Sequence, residues 1–193
     1  MTDKEKTAKI FEILNDWVSR QGSVIAVPEF RFGTSWNGGC CQRQIDLFTI
    51  SYMKGNESTS YEIKASRADF KKDVENEEKQ RGARMFSDYF WYCAPKGMIK
   101  PDEVPVWAGL LEFDLSEEAD IFRRVTTAIS APHLPRENPT WELIISALRR
   151  TDTAFREQIK KEIAKFNREF YANYRLREAY SQQIKKLPET PFF

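Results

Sequence analysis

Asp46 and, beginning fifteen residues further on, the run Tyr61-Glu62-Ile63-Lys64 are the part of this sequence best equipped for chemistry. Side chains alternate faces along a strand, so Glu62 and Lys64 share one face while Tyr61 and Ile63 take the other. If the strand carrying Asp46 pairs with this one across the polar turn 54–59, Asp46 lies beside Glu62. Two carboxylates and the backbone carbonyl of Ile63 then offer hard oxygen ligands to one divalent cation, Mg²⁺ or Mn²⁺. Such a cation polarises a phosphoryl group and acidifies a bound water, while the Lys64 ammonium positions that water and stabilises charge growing on the phosphate. The chemistry indicated is metal-dependent hydrolysis of a phosphodiester, with Asp46, Glu62 and Lys64 as its catalytic residues.

The triplet alone carries little weight. With 19 glutamates and 15 lysines in the chain, random order yields roughly one or two Glu-x-Lys triplets, and Glu77-Glu78-Lys79 is another. The context is more telling: an aspartate in the preceding apolar strand, and a change from strand to helix directly after Lys64. The competing structural reading is an ion pair at a sheet edge.

The elements that must hold these residues read as an α/β chain. Residues 4–20 predict an amphipathic helix, with Ile10, Phe11, Leu14, Trp17 and Val18 at helical spacing and Gly22 beyond its end. A strand over 23–32 is turned by the Gly-rich stretch 33–39 into a second strand over 43–52, and 60–65 is a third. One charged helix is expected over 67–85. The run 87–94 is apolar on both faces, as suits a central strand, and 108–113 and 121–125 read as shorter strands. The proline-bearing stretch 126–139 is an irregular connection to a helix that Thr140 caps and that runs to Arg150.

Composition narrows the classes of function. The 193 residues carry 30 lysines and arginines against 29 acidic residues, a net charge of +1, so the large basic excess usual in nucleic-acid binders is missing. At 41% apolar and 13% aromatic residues the chain folds rather than staying disordered. The longest apolar run, Tyr89 to Ala94, is far short of the roughly 20 residues a membrane-spanning helix needs, and the N-terminus has no apolar signal core. A cytoplasmic protein that meets no membrane is expected. Three cysteines and one histidine argue against a disulfide framework or a structural zinc site. Cys93 lies in an apolar run, where cysteine is usually an inert small hydrophobe, so pairing with His133 is disfavoured.

Two domains of unequal kind emerge, 1–151 and 152–193. In the second, Phe155, Ile159, Ile163, Phe166, Phe170 and Tyr174 form one stripe of a long amphipathic helix, or of two. Residues 152–186 hold 9 basic and 5 acidic residues, +4, whereas residues 1–151 hold 21 and 23, or −2. The neutral total hides a basic extension on an acidic body. The extension is a solvated packed helix, a contact to phosphate or to a partner protein, or a homodimerisation stripe.

The runs SYEIKASRADFKKD and VPVWAGLLEFD, with Lys79 nine residues before Asp88 at the head of DYFWYCAP, resemble the MmcB-like DNA-repair family of the PD-(D/E)xK nuclease superfamily. The resemblance covers roughly residues 8–150 and implies a restriction-endonuclease-like core, a mixed central sheet flanked by helices. It makes Asp46 the first acid, Glu62 the second and Lys64 the lysine. Asp69 and Asp73 fit the acidic pattern after the triplet, Lys79 and Asp88 the helix-to-strand spacing, and Glu29 also matches. Glu12, on the first helix, sits where many superfamily members place an extra acidic ligand, and Lys79 and Gln80 occupy positions from which a side chain can lean over the metal. The chain departs from the family at Gln80 and Ala83, where tryptophan and tyrosine are common, and has no proline before Asp46.

The expected function is therefore a Mg²⁺-dependent (or Mn²⁺-dependent) nuclease acting on DNA, in DNA repair or in phage or mobile-element DNA metabolism. The alternative is a non-catalytic nucleic-acid- or protein-binding module on the same fold. Weaker candidates are Trp36 and Asn37 as a groove-inserting loop tip and Tyr89 to Tyr92 as a base-stacking platform. Both read more simply as a turn and a core strand.

Overall fold

The computed structural model of the chain describes residues 1–32, 44–116 and 123–151, and beyond them the helical residues 157, 161, 164, 165 and 168–171. The loop-tip residues Trp36 and Asn37, Cys40, Cys41 and most of the C-terminal stripe lie outside the described residues. The chain divides into two compact units, Met1–Thr151 and Asp152–Phe193. In the second, the described residues are helical, and the rings of Phe170 and Tyr171 meet edge to face at 5.7 Å. No helix among the described residues is long and apolar enough to cross a membrane.

The first unit is a mixed α/β structure built on one six-stranded sheet. Its strands are β1 (Val24–Arg31), β2 (Gln44–Ser51), β3 (Glu57–Ile63), β4 (Tyr89–Pro95), β5 (Gly109–Phe113) and β6 (Val125–Ile129), in that order across the sheet. The β1–β2, β2–β3 and β5–β6 pairs are antiparallel, and the β3–β4 and β4–β5 pairs are parallel. Parallel neighbours need crossovers, and the segment between β3 and β4 is the helical one that carries the acidic residues after Lys64.

Helix α1 (Asp3–Ser19) starts at a reciprocal cap: Glu5 N–H donates to Thr2 Oγ1 and Thr2 N–H to Glu5 Oε2. Its apolar stripe, Ile10, Ile13, Leu14 and Val18, is buried against Leu47, Tyr61, Ile63, Cys93, Leu111 and Phe113 on one face of the sheet. Each such side chain stabilises the fold by about 1.5–3 kcal/mol. The other face is richer in rings: Phe30, Phe32, Phe48, Phe70, Phe90 and Tyr92 pack with Leu110, Leu134 and Leu143. Tyr92 and Phe90 are fully buried, and the expectation of a core strand there, rather than a stacking platform, matches the packing.

The single charged helix expected over 67–85 is three pieces: α2 (Arg67–Val74), a 3₁₀ turn (Glu77–Gln80) and α3 (Arg81–Phe86). Asn76 leaves helical geometry at φ −110, ψ 79, and the break folds Lys79 and Gln80 back onto Asp73. A buried carboxylate that must be satisfied outweighs the local helix propensity. The last strand lies at 125–129 rather than 121–125. It is a largely exposed edge strand, Val-Thr-Thr-Ala-Ile, whose weak apolar pattern gives little signal beside the Ile121-Phe122 pair. Thr140 does cap a helix, α4, accepting from Leu143 N–H at 3.3 Å, and the described residues 141–151 after it are helical.

Gly109 opens β5 at a point of close approach. A Cβ there would stand 2.5 Å from the Trp91 ring and 2.6 Å from the backbone nitrogen of Ala131. Gly109→Ala is expected to destabilise the fold by about 1–3 kcal/mol, measured as a lowered urea midpoint at unchanged slope, because the added methyl group meets the Ala131 backbone as well as the Trp91 ring.

Candidate active site

The register of the sheet builds a row of acids. β2 and β3 pair from Ser51↔Glu57 to Leu47↔Tyr61, and one further step of the same register sets Asp46 opposite Glu62. On the other side Pro28 pairs with Leu47 and Phe30 with Ile45, so Glu29 stands opposite Asp46. Neither step belongs to the ladder. Glu29 has φ +48, a backbone state that costs a residue with a Cβ about 1–3 kcal/mol. At the Asp46 step the side chain replaces the backbone, its Oδ2 accepting the Ile63 N–H at 2.7 Å. Like charges on directly facing strand positions destabilise a sheet, so the row Glu29–Asp46–Glu62 is held by the rest of the fold rather than contributing to it.

Lys64 follows β3 and is tied by its own N–H to the Cys93 carbonyl at 2.8 Å. Only 2% of it is exposed. Its Nζ lies 2.9 Å from Glu62 Oε1, 3.1 Å from Asp73 Oδ1 and 3.4 Å from Asp69 Oδ2. The local sequence explains this cage. Ser66 caps α2, accepting from Asp69 N–H, and Asp69 and Asp73, four residues apart, present one helix face to the lysine. Asp73 is the hub. Its carboxylate takes ion pairs from Lys64 and Lys79 and hydrogen bonds from Gln80 Nε2 at 2.8 Å and the Tyr92 hydroxyl at 3.0 Å.

The protonation equilibria follow from burial and charge. Burial pushes the Glu62 carboxyl up to about 7; Lys64 opposes this, and Asp46 and Asp73 reinforce it. Burial also raises Asp46, against the Ile63 N–H and Lys64, with Glu29 and Asp69 adding repulsion. Lys64 stays an ammonium: burial alone would lower its pKa, but Glu62, Asp73 and Asp69 more than offset it. For Asp73 burial is likewise outweighed, by Lys79, Lys64 and Gln80, and its carboxyl is held below the usual range.

Asp46, Glu62, Lys64, Asp69, Asp73, Lys79 and Gln80 therefore form one connected group on the sheet face opposite α1, and Glu29 faces Asp46 at its edge. Glu12 does not join them: it is exposed on α1, and among the described residues no hydrogen bond or ion pair links it to the row. Asp88 belongs elsewhere. β3 and β4 run parallel, so Asp88, just ahead of β4, lies near the start of β3, at the far end from Glu62. There it accepts Ser58 N–H at 2.7 Å, Ser58 Oγ–H at 3.0 Å and Arg136 at 2.7 Å, with His133 Nε2 at 3.5 Å. It is a structural hub that ties two strand starts to the 130–140 connection.

No group of three or more acidic, histidine or cysteine side chains converges on a cation position among the described residues; the candidate ligands are Asp46, Glu62 and the Ile63 carbonyl. The donor chemistry suits a hard divalent ion, because both carboxyls are oxygen donors, held in a buried position that raises their pKa and beside further carboxylates that add to the rise. Reading the sequence for motifs missed Tyr92 as a member of the group. Its signal is general: a buried tyrosine hydroxyl needs a polar partner.

No family model and no curated protein matches the sequence. Among solved structures, a protein of unknown function from Silicibacter pomeroyi is similar, with a TM-score of 0.50 and 18% identity over 83% of this chain and 90% of that one. At that identity the likeness concerns the fold alone.

Proposed function

We propose that the protein is a Mg²⁺- or Mn²⁺-dependent nuclease that hydrolyses phosphodiester bonds in DNA, on a restriction-endonuclease-like core similar to that of the MmcB-like DNA-repair family. The observation that carries the reading is the step where Asp46 and Glu62 face each other outside the ladder, with the Lys64 ammonium buried against Glu62. Asp46, Glu62 and the Ile63 carbonyl would hold the cation, which when bound supplies Lewis-acid polarisation of the phosphoryl group. Asp46 is oriented by the Ile63 N–H. Lys64 has three N–H donors and three carboxylate neighbours. Exchange of one neighbour, exposed Asp69 being the loosest at 3.4 Å, turns a donor toward the attacking water or a phosphate oxygen. Asp73, Gln80 and Tyr92 hold the ammonium in place while that exchange occurs. Cleavage of a panel of linear, nicked, branched and single-stranded DNA with Mg²⁺ or Mn²⁺, and none with chelator, is the expected result.

The saturation of Lys64 by three carboxylates favours one second reading, a binding module in which the group survives as an ion-pair network. Silence across the substrate panel together with no effect of divalent metal on thermal stability would select it.

Metal binding separates the two directly. A ligand at about 100 times its dissociation constant stabilises the folded state by about 2.7 kcal/mol, and Asp46→Ala is expected to remove that gain. The gain is also expected to depend on pH. The folded-state pKa of Glu62, about 7, is above its ordinary 4.5. Between these values the folded chain binds more protons than the unfolded one, so the metal-free protein loses stability as pH rises through the window. A cation competes with that proton, and its stabilising shift should grow from pH 5 to pH 8 in differential scanning fluorimetry. A shift independent of pH would argue against Glu62 as a ligand.

A further inference from the structure

We infer that Arg150, on α4, is the residue that engages the substrate phosphate, held in the resting protein on Glu29. This rests on the nuclease reading above and adds a substrate contact to it. Several cations of the segment that follows β3 are already committed. Lys64 and Lys79 are tied to Asp73, and Lys64 also to Glu62 and Asp69. Arg67 is paired with Glu103 through two nitrogens, and Lys71 reaches the same carboxylate at 3.8 Å. Breaking the contacts to Glu62 or Asp73 would leave a buried carboxylate behind, and freeing Arg67 would cost its paired hydrogen bonds to Glu103.

Arg150 differs in each respect. Among the described residues its guanidinium makes a single contact, 3.5 Å from Nη2 to Glu29 Oε2, and the Glu29 side chain is 64% exposed, so the pair contributes little and opens readily. Its helix, by contrast, is fixed. Leu143 is buried in the ring-rich core, Ala147 packs against that core, and Ser146 Oγ donates to the Arg31 carbonyl at 2.7 Å. Glu29 in turn faces Asp46 across β1 and β2, and its charge is one of those acting on the Asp46 carboxyl. A firmly based helix thus delivers a guanidinium to the edge of the acid row, on a partner that it can exchange. Guanidinium binds phosphate through paired N–H donors, and a phosphate brought to Asp46 and Glu62 competes with Glu29 for the same group.

The test is a double-mutant cycle on DNA binding, with the full chain, labelled single-stranded and duplex oligonucleotides and fluorescence anisotropy in Ca²⁺ between about 50 and 200 mM salt. Arg150→Ala is expected to weaken binding about tenfold and to reduce the salt slope by about 1. Glu29→Gln is expected to tighten binding, and to lose most of that effect in the Arg150→Ala background, because Glu29 competes for the guanidinium. A purely structural role for Arg150 would lower thermal stability without changing the salt slope. The inference is overturned if Arg150→Ala leaves affinity and slope unchanged, or if Glu29→Gln tightens binding equally without Arg150. Metal-dependent stabilisation, lost in Asp46→Ala and kept in Arg150→Ala, is read in parallel. Its absence from the wild-type protein would count against the nuclease reading, whereas its presence with an unchanged salt slope would count against Arg150 alone.

Discussion

Asp73→Ala is expected to cost about 3–5 kcal/mol of folding stability, the largest loss of any single substitution in the acid group. The Asp73 side chain is fully buried and compensates Lys64, itself 2% exposed, together with Lys79. Truncation leaves the buried ammonium with Glu62 and the exposed Asp69, and strands the Tyr92 hydroxyl and the Gln80 amide without their acceptor. Asp73→Asn keeps the volume and one acceptor oxygen but loses the charge, so its loss should be smaller. Urea unfolding of both variants checks the order. An alanine variant as stable as the wild type would mean that Lys64 is not compensated by Asp73 in solution.

Lys64→Met is expected to lower the metal-dependent cleavage rate by at least about 100-fold, the usual consequence of removing one charge stabiliser from a phosphoryl-transfer site. Methionine retains most of the buried stem, so folding is better preserved than with alanine. It still leaves Glu62 and Asp73 without their shared cation, and protonation of Glu62, whose pKa is already near 7, relieves part of that strain. The loss should fall on kcat rather than KM, since Lys64 is too deeply held to bind substrate by itself. Retained cleavage in a folded Lys64→Met protein would remove the lysine from the mechanism. A loss confined to KM would move it from chemistry to binding.

The two substitutions act on the same ion pair from opposite ends, and this separates stability from activity. Asp73 makes no contact with the reacting groups in the proposed hydrolysis and acts through Lys64. A stable Asp73→Asn variant with slowed turnover and unaltered metal-induced stabilisation would identify it as a positioning residue.

Much of this chain was decided by local pattern. The apolar stripe of α1, the alternation along β3 and the doubly apolar run of β4 are properties of neighbouring residues, and hydrophobic burial turns them into elements with small boundary errors. The register that sets Asp46 opposite Glu62 was also legible, because a short turn between antiparallel strands leaves few registers that keep Leu47 and Tyr61 both buried. The tertiary structure decided what depends on distant partners. The break of the 67–85 helix follows from Asp73 needing Lys79 and Gln80 as much as Lys64, and no local propensity encodes that demand. The role of Asp88 followed from the parallel pairing of β3 and β4, which carried it to the far end of the strand from Glu62. The pair of Arg150 with Glu29 spans 121 positions and exists only because α4 packs across β1 and β2. Burial sorts side chains by their own chemistry and can be read one residue at a time, whereas compensation of a buried charge is a property of pairs, and pairs are set by the fold.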